Sequence, residues 1–237
     1  MSGQYEQYLS AHFRRIAAPA TLRWNAMAAV EHHGKYFPAD KGARILEIGP
    51  GFGYLLEHLS KTCAYQNVSG VDVAPEVVEV CNQTLPGSTT LVEDTTVFLQ
   101  QFEEHFDLII MLHVLEHVPK EQIMPLLHSI RRALRTGGRL VVEVPNPMHP
   151  ITGAYNRYHD FTHTVGFTDQ SLGFVLRNAG FREVDVYGCK MPRKNPLRLI
   201  QRTAQDTFEL LAKMRLRVFL PGQPVNMATA LGACGTK

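Results

Sequence analysis

Six short apolar runs that alternate with amphipathic stretches, beginning at Ala43, constrain this chain more than any other feature. They cover residues 43–48, 67–72, 90–93, 106–112, 139–144 and 181–187. Phe106-Asp-Leu-Ile-Ile-Met-Leu112 is the clearest, a continuous apolar run of the kind that a strand buried on both faces requires. Helical patterning fills the gaps at about 54–61, 75–83, 121–134 and 168–178. Pro75 stands where a first helical turn tolerates proline, and Thr136-Gly137-Gly138 and Ala179-Gly180 provide stops. Such alternation predicts an α/β fold, a mostly parallel sheet with helices on both faces. Residues 1–40 differ. They carry helical spacing (Leu9, Phe13, Ile16, then Leu22, Trp24, Met27, Val30) and no strand, and are expected to form an N-terminal helical cover ahead of a domain spanning 41–237.

At 237 residues with 45% hydrophobic content, one domain with a sizeable core is expected, not a disordered chain. The net charge of +2 argues against a nucleic-acid partner, which would need a strong basic excess. Cys63, Cys81, Cys189 and Cys234 form no close pair, which fits a reduced, cytoplasmic compartment. The N-terminus has no apolar h-region and no run approaches 18 apolar residues, so neither secretion nor membrane spanning is expected.

Glu47-Ile48-Gly49-Pro50-Gly51-Phe52-Gly53 joins the first run to the first helix. Glycines at the carboxyl end of a parallel strand let the backbone approach a ligand where a Cβ would intrude. A dinucleotide site uses G-x-G-x-x-G with a pyrophosphate on the helix N-terminus. Here the spacing is G-x-G-x-G, and Tyr54 stands where the third glycine would be. Glu47 would repel a pyrophosphate but can pair with an ammonium group. Asp72 ends the second run, where a carboxylate can accept both hydroxyls of an adenosine ribose. It supports an adenosine cofactor without choosing between the two types. Asp94 could accept from an adenine amino group, and equally suits a helix N-cap.

Taken in order, E-I-G-P-G-F-G (47–53), G-V-D-V (70–73), E-D (93–94), F-D-L-I-I-M-L-H-V-L-E-H-V (106–118) and L-R-T-G-G-R-L-V-V-E-V (134–144) make residues 43–187 resemble a class I S-adenosylmethionine-dependent methyltransferase. The resemblance implies a Rossmann-like seven-stranded sheet, mostly parallel with the last strand antiparallel. The final hairpin would come from residues 184–187 and a strand near 225–233. It implies S-adenosyl-L-methionine as cofactor, with Glu47 and Gly49 near the methionine moiety and Gly51 and Gly53 in the close turn. Asp72 and Val73 would lie at the ribose, Asp94 at the adenine, and Leu112 and His113 along the inner edge. A NAD(P)-dependent oxidoreductase is the reading from another class, disfavoured by the glycine spacing.

Methyl transfer to a hydroxyl needs a base, a metal or both, because the hydroxyl must lose its proton. The chain holds 11 histidines, six of them between His113 and His163. His113, His117, His159 and His163 are expected to face one pocket, with His113, His117 or His159 as candidate bases. His113-Val-Leu-Glu116-His117 resembles the E-x-x-E-H segment that holds a divalent metal in small-RNA 2′-O-methyltransferases and ubiquinone-pathway O-methyltransferases. The leading acid is His113 here, so the resemblance leaves Glu116 and His117, with His163 to complete a site. Imidazoles with one carboxylate suit Zn²⁺, Fe²⁺ or Mn²⁺ better than Mg²⁺. The same tetrapeptide in many relatives only caps the strand.

Residues 157–172 and Ala179-Gly180-Phe181 resemble methyltransferases of surface-polysaccharide assembly, which implies a sugar or glycan hydroxyl as acceptor. In the polar loop at about 145–168, Tyr155, Tyr158 and Phe161 could stack on a sugar while Asn156, Arg157 and Asp160 reach its hydroxyls; alternatively the rings pin the loop. A quinone-type or other small phenolic acceptor is the rival. Residues 190–217 carry a local charge of +6, leaving the rest of the chain at −4. This basic helical insertion at about 190–220 suits weak association with an anionic membrane surface, at the inner face of the membrane, or a packed or homodimer contact.

Overall fold

The computed structural model describes residues 19–190, 196–219, 221 and 225–237. Leu9, Phe13 and Ile16, and the basic Arg193 and Lys194, lie outside the described residues. Helix α1 (Pro19–His33) precedes strand β1 (Arg44–Ile48). The alternation then runs α2 (Tyr54–Glu57, prolonged by a wider turn over His58–Thr62), β2 (Asn67–Asp72), α3 (Pro75–Thr84), β3 (Thr89–Leu91), α4 (Thr95–Leu99) and β4 (Phe106–Leu112). Next come α5 (Lys120–Ala133), β5 (Leu134–Pro145), α6 (Gly153–Tyr158), α7 (Asp169–Asn178), β6 (Arg182–Cys189), α8 (Pro196–Phe219) and β7 (Ala230–Thr236).

The seven strands form one sheet in the order β3-β2-β1-β4-β5-β7-β6. Pairings from β3 through β5 are parallel, while β7 runs antiparallel to both β5 and β6. The order reverses between β1 and β4, and a crevice opens there at the carboxyl ends of the strands. Alternate residues of the apolar runs serve opposite faces. Leu46, Ile48, Ile109 and Met111 pack with Ile123, Leu127 and Ile130 of α5 and Leu172 and Leu176 of α7. Ile45, Leu108 and Ile110 pack with Leu55 and Leu59 and with Ala26 and Ala29 of α1. Burial on both sides is why these runs are continuous instead of alternating.

The architecture is the expected one, and the local differences have physical causes. Helix α4 begins where Asp94 was a candidate N-cap, and Asp94 starts it by accepting the Val97 N–H at 3.0 Å. The polar loop contains helix α6. The last strand begins at Ala230, later than the expected 225–233, because residues before it are tied down differently. The Asn146 amide donates to the carbonyls of Asn226 and Ala228 at 2.8 and 2.7 Å. The strand that follows, Ala-Leu-Gly-Ala-Cys-Gly-Thr, is low in β-branched residues because β6 rings lie across it. A Cβ on Gly232 would sit 2.4 Å from the Tyr187 ring and 3.0 Å from Cys189 Sγ. The Tyr187 ring cannot step aside freely, since His33 Nδ1 accepts its hydroxyl at 2.7 Å and Tyr36 packs against it. Gly232→Ala is therefore expected to destabilise the protein by about 1–3 kcal/mol in a urea titration, as overpacked sites do. An unchanged midpoint would show that the ring moves without cost.

Candidate functional site

The glycine turn after β1 is shaped by what comes close to it. Gly49 has φ +71°, and a Cβ there would lie 2.4 Å from Val114 Cγ2, so the turn and the end of β4 can approach only at a glycine. Gly51, at φ +56°, faces open space within 4 Å and leaves backbone accessible to a ligand. Gly53 caps the N-terminus of α2. Across this turn His113 takes φ +56°, a left-handed conformation that a non-glycine side chain adopts at a cost of about 1–3 kcal/mol. Its N–H donates to the Glu143 carbonyl at 2.8 Å, which holds the turn closed.

A cavity of about 510 Å³ lies at this edge. Glu47, Gly49, Gly51, Leu112 and His113 line one side; Leu22, Ala26, Ala28, Ala29 and His32 of α1 line the other. Gly53, Asp72, Val73 and Asp94 are not among its walls. Asp72 ends β2, its Oδ1 accepting the Ala74 N–H at 2.8 Å, and burial pushes its carboxyl up to about 6. Val73 is part-exposed beside it. Asp94 is engaged by one oxygen in capping α4, the plainer of its two expected roles. Glu47 is buried, its Oε2 has no hydrogen-bond partner, and desolvation pushes its carboxyl up to about 8.

The histidine expectation needs correcting. Of the four, only His113 lines the cavity. His117, His159 and His163 form a separate group behind Glu116, because the polar loop folds against the outer side of the Leu115–His117 turn. The Thr164 and Val165 N–H groups donate to the Glu116 carbonyl at 2.8 and 3.1 Å, and Arg157 donates to the His163 carbonyl. His159 stacks on Tyr155 and meets His163 edge-on at 5.6 Å, with its own Nδ1 given to the Tyr155 carbonyl. Tyr155, Tyr158 and Phe161 are exposed, at 66%, 77% and 97%, and do not line the cavity.

Glu116, His117 and His163 do come together, with ligand atoms all within 4.8 Å of one another. The His163 Nδ1–H donates to the Asn156 carbonyl at 2.7 Å. His117 Nδ1 meets Thr162 Oγ1 at 2.8 Å, and that hydroxyl donates onward to Asp160. Both Glu116 oxygens are buried without a hydrogen-bond partner; the nearest cationic atom is His113 Nδ1 at 3.5 Å. Outer-shell bonds on both rings around an orphaned carboxylate fit a divalent transition metal. Burial lowers the His117 pKa, keeping that imidazole in the neutral form a metal needs.

The cavity's far end holds residues absent from the sequence expectations. Glu143 of β5 accepts from His33 Nε2 at 2.8 Å through Oε2 and from His113 Nε2 at 3.2 Å through Oε1. His32 Nδ1 stands 3.4 Å from Oε2. Burial opposes ionisation of Glu143, but these imidazoles outweigh it and hold the carboxyl well below its ordinary value. For His113, desolvation disfavours the cation, yet Glu116 and Glu143 on either side carry its pKa up to about 10. His113 is therefore a cation in the free protein, and it can serve as a base only after losing that proton. An acid inside the apolar run Leu-Val-Val-Glu-Val and the adjacent pair His32-His33 were the available signals, since a charge in a buried strand demands partners.

A methyltransferase domain model matches residues 12–186. The chain belongs to the S-adenosylmethionine-dependent methyltransferase family. It is 30% identical over 185 residues to a ubiquinone biosynthesis O-methyltransferase of Xylella fastidiosa, covering 68% of this chain and 70% of that protein. Its fold superposes on a SAM-dependent methyltransferase from Archaeoglobus fulgidus with a TM-score of 0.69 at 20% identity, over 98% of this chain and 99% of that one. A Thermotoga maritima structure described as a possible histamine N-methyltransferase gives 0.65 at 17% identity, over 100% of both chains.

For this methyltransferase, the raised Glu47 pKa yields a two-part test. With Glu47 as the expected partner of the cofactor's ammonium, S-adenosylhomocysteine affinity should rise between about pH 6 and 7.5 by up to roughly tenfold per unit as the carboxylate ionises. Glu47→Gln should flatten that rise in isothermal titration. The folded pKa of about 8 exceeds the ordinary 4.5, so apo stability falls as pH climbs between those values. Glu47→Gln should thus raise the apo melting temperature at pH 8, by roughly 2–4 °C per kcal/mol relieved.

Proposed function

We propose that this methyltransferase methylates the hydroxyl of a small aromatic acceptor, of phenol or quinol type. The carrying observation is the cavity itself: α1 lines it with Leu22 and a row of alanines, while His32, His113 and Glu143 sit together at one end. An apolar wall with few polar groups suits a flat ring bearing one reactive hydroxyl. The names of the curated relatives point the same way. The polysaccharide reading leans on the loop aromatics, and those are exposed and stand apart from this cavity.

In the reaction, the acceptor oxygen attacks the sulfonium methyl in line. A C–O bond forms, the C–S bond breaks, and S-adenosylhomocysteine leaves. His113 first releases its own proton to solvent and then, as the neutral imidazole, takes the hydroxyl proton, while Glu143 keeps the His113 ring oriented throughout. Glu116, His117 and His163 would hold a divalent transition ion, which when bound supplies Lewis-acid character beside His113. Glu143→Gln and His113→Ala are each expected to lower kcat by about 100-fold or more on catechol-type acceptors while S-adenosylhomocysteine still binds. Turnover of sugar hydroxyls in preference to phenols would refute the acceptor assignment.

Helix α8 supports a membrane-surface location for such an acceptor. Leu199, Ile200, Leu210, Leu211, Met214, Val218 and Phe219 are exposed on it, among Lys213, Arg215 and Arg217. No helix among the described residues is long and apolar enough to cross a membrane. An exposed amphipathic, basic helix binds an anionic interface instead. Co-sedimentation with phosphatidylglycerol vesicles but not with neutral phosphatidylcholine vesicles is expected, and Leu211→Glu with Met214→Glu should abolish it.

A further inference from the structure

Where α1 meets β5 and β6, four side chains of metal-ligating type converge away from the Glu116 group. His32 and His33 end α1, Glu143 lies near the end of β5, and Cys189 ends β6. One ligand atom from each lies within 4.8 Å of all the others, and three of the four residues are buried. A tetrahedral zinc site has Zn–N near 2.0 and Zn–S near 2.3 Å, so its ligand atoms stand about 3.3–3.8 Å apart. Side-chain adjustment of about an ångström at most closes the group to that size.

The hydrogen bonds around the group are arranged as a metal site requires. His32 donates Nε2–H to the Lys190 carbonyl at 2.6 Å. Its Nδ1 stands 3.4 Å from Glu143 Oε2, which raises the His32 pKa, and a metal ion bound there takes the place of the proton these two atoms share. A backbone carbonyl holding the distal ring nitrogen is the usual orienting partner of a ligating histidine. His33 presents Nε2 to the same oxygen, with Tyr187 Oη on its Nδ1 at 2.7 Å. Adjacent helical residues do not normally face one point. Here one ring reaches with its near nitrogen and the next with its far nitrogen, at the helix end. The Cys189 Sγ lies within 4.8 Å of the same carboxylate, and burial together with that carboxylate pushes the thiol pKa up. His32, Glu143 and Cys189 also line the cavity, which provides an entry path.

We propose that His32, His33, Glu143 and Cys189 form a binding site for Zn²⁺ or a neighbouring divalent transition ion, joining α1 to β5 and β6 at the acceptor end of the cavity. Two imidazoles, a thiolate and a carboxylate select such an ion over Mg²⁺ or Ca²⁺, which take oxygen ligands. The bound ion displaces the thiol proton to solvent and ties the helical cover to the sheet. This site is independent of the Glu116 group, and sulfur distinguishes the two because only this one has it. The proposal does not depend on the identity of the acceptor.

The test is to strip the full-length protein with chelator and titrate it with Co²⁺ alone, then to compete the Co²⁺ with Zn²⁺. A near-ultraviolet thiolate-to-cobalt charge-transfer band is expected to reach its full height within two equivalents, because the Glu116 group also takes the ion, and to be reversed by Zn²⁺. Cys189→Ser should remove the band and weaken Zn²⁺ binding by roughly 100-fold or more, whereas Glu116→Ala should leave the band unchanged. No thiolate band in the wild-type protein overturns the proposal. So does a band that survives Cys189→Ser, which would belong to another cysteine, or one lost in Glu116→Ala. His32→Ala answers the same question if Cys189→Ser fails to fold. Its Co²⁺ affinity should fall by a similar factor, and an unchanged affinity overturns the proposal.

Discussion

A carboxylate withdrawn from water must find donors or a cation, and leaving one unpaired in the interior costs several kcal/mol. Glu143 interrupts the apolar run Leu140–Val144 near the end of β5, so the residues around it are arranged to meet that demand. His113 turns back from β4, His33 arrives from α1, and His32 and Cys189 close the remaining sides. These contacts fasten α1 over the cavity, which would otherwise rest on small alanine contacts. They also keep His113 cationic and set the polar end of the cavity. The position of α1 and the polar character of one end of the cavity follow from this one acid.

The glycine turn and the His113 turn form a matched pair. Val114 can press against Gly49 only because that residue lacks a Cβ, and His113 accepts a left-handed backbone so that its ring reaches both Glu116 and Glu143. Strain at this point is held by the His113 N–H bond to β5. Glu47, on the other side of the turn, is a second buried acid, but its Oε2 has no hydrogen-bond partner among the described residues. The two acids therefore differ in purpose. Glu143 is satisfied internally, whereas Glu47 carries a desolvation cost that raises its pKa.

The strands were legible wherever a run was buried on both faces. Residues 67–72 and 106–112 were located to the residue, and β1 to within one. The last strand was harder to read, because glycines and cysteines under the Tyr187 and Phe181 rings carry no strand signal of their own. Local chemistry also misled. The spacing of His113, His117, His159 and His163 suggested one pocket, but the 3₁₀ turn at Leu115–His117 sends its side chains to two sides of a wall. Glu116 lies between those sides and His113 alone faces the cavity.

By itself the sequence determined the parallel α/β sheet, the glycine turn with its preceding acid, and membership in a methyltransferase family. Each of these depends on local spacing: apolar runs of strand length, glycines where the backbone must turn, and acids at strand ends. Tertiary structure alone decided which polar residues share a site. His32 and Glu143 are 111 residues apart, and no local pattern records that α1 lies back across β5. That proximity comes from burying the alanine face of α1 on the sheet, a packing event that sequence spacing does not encode.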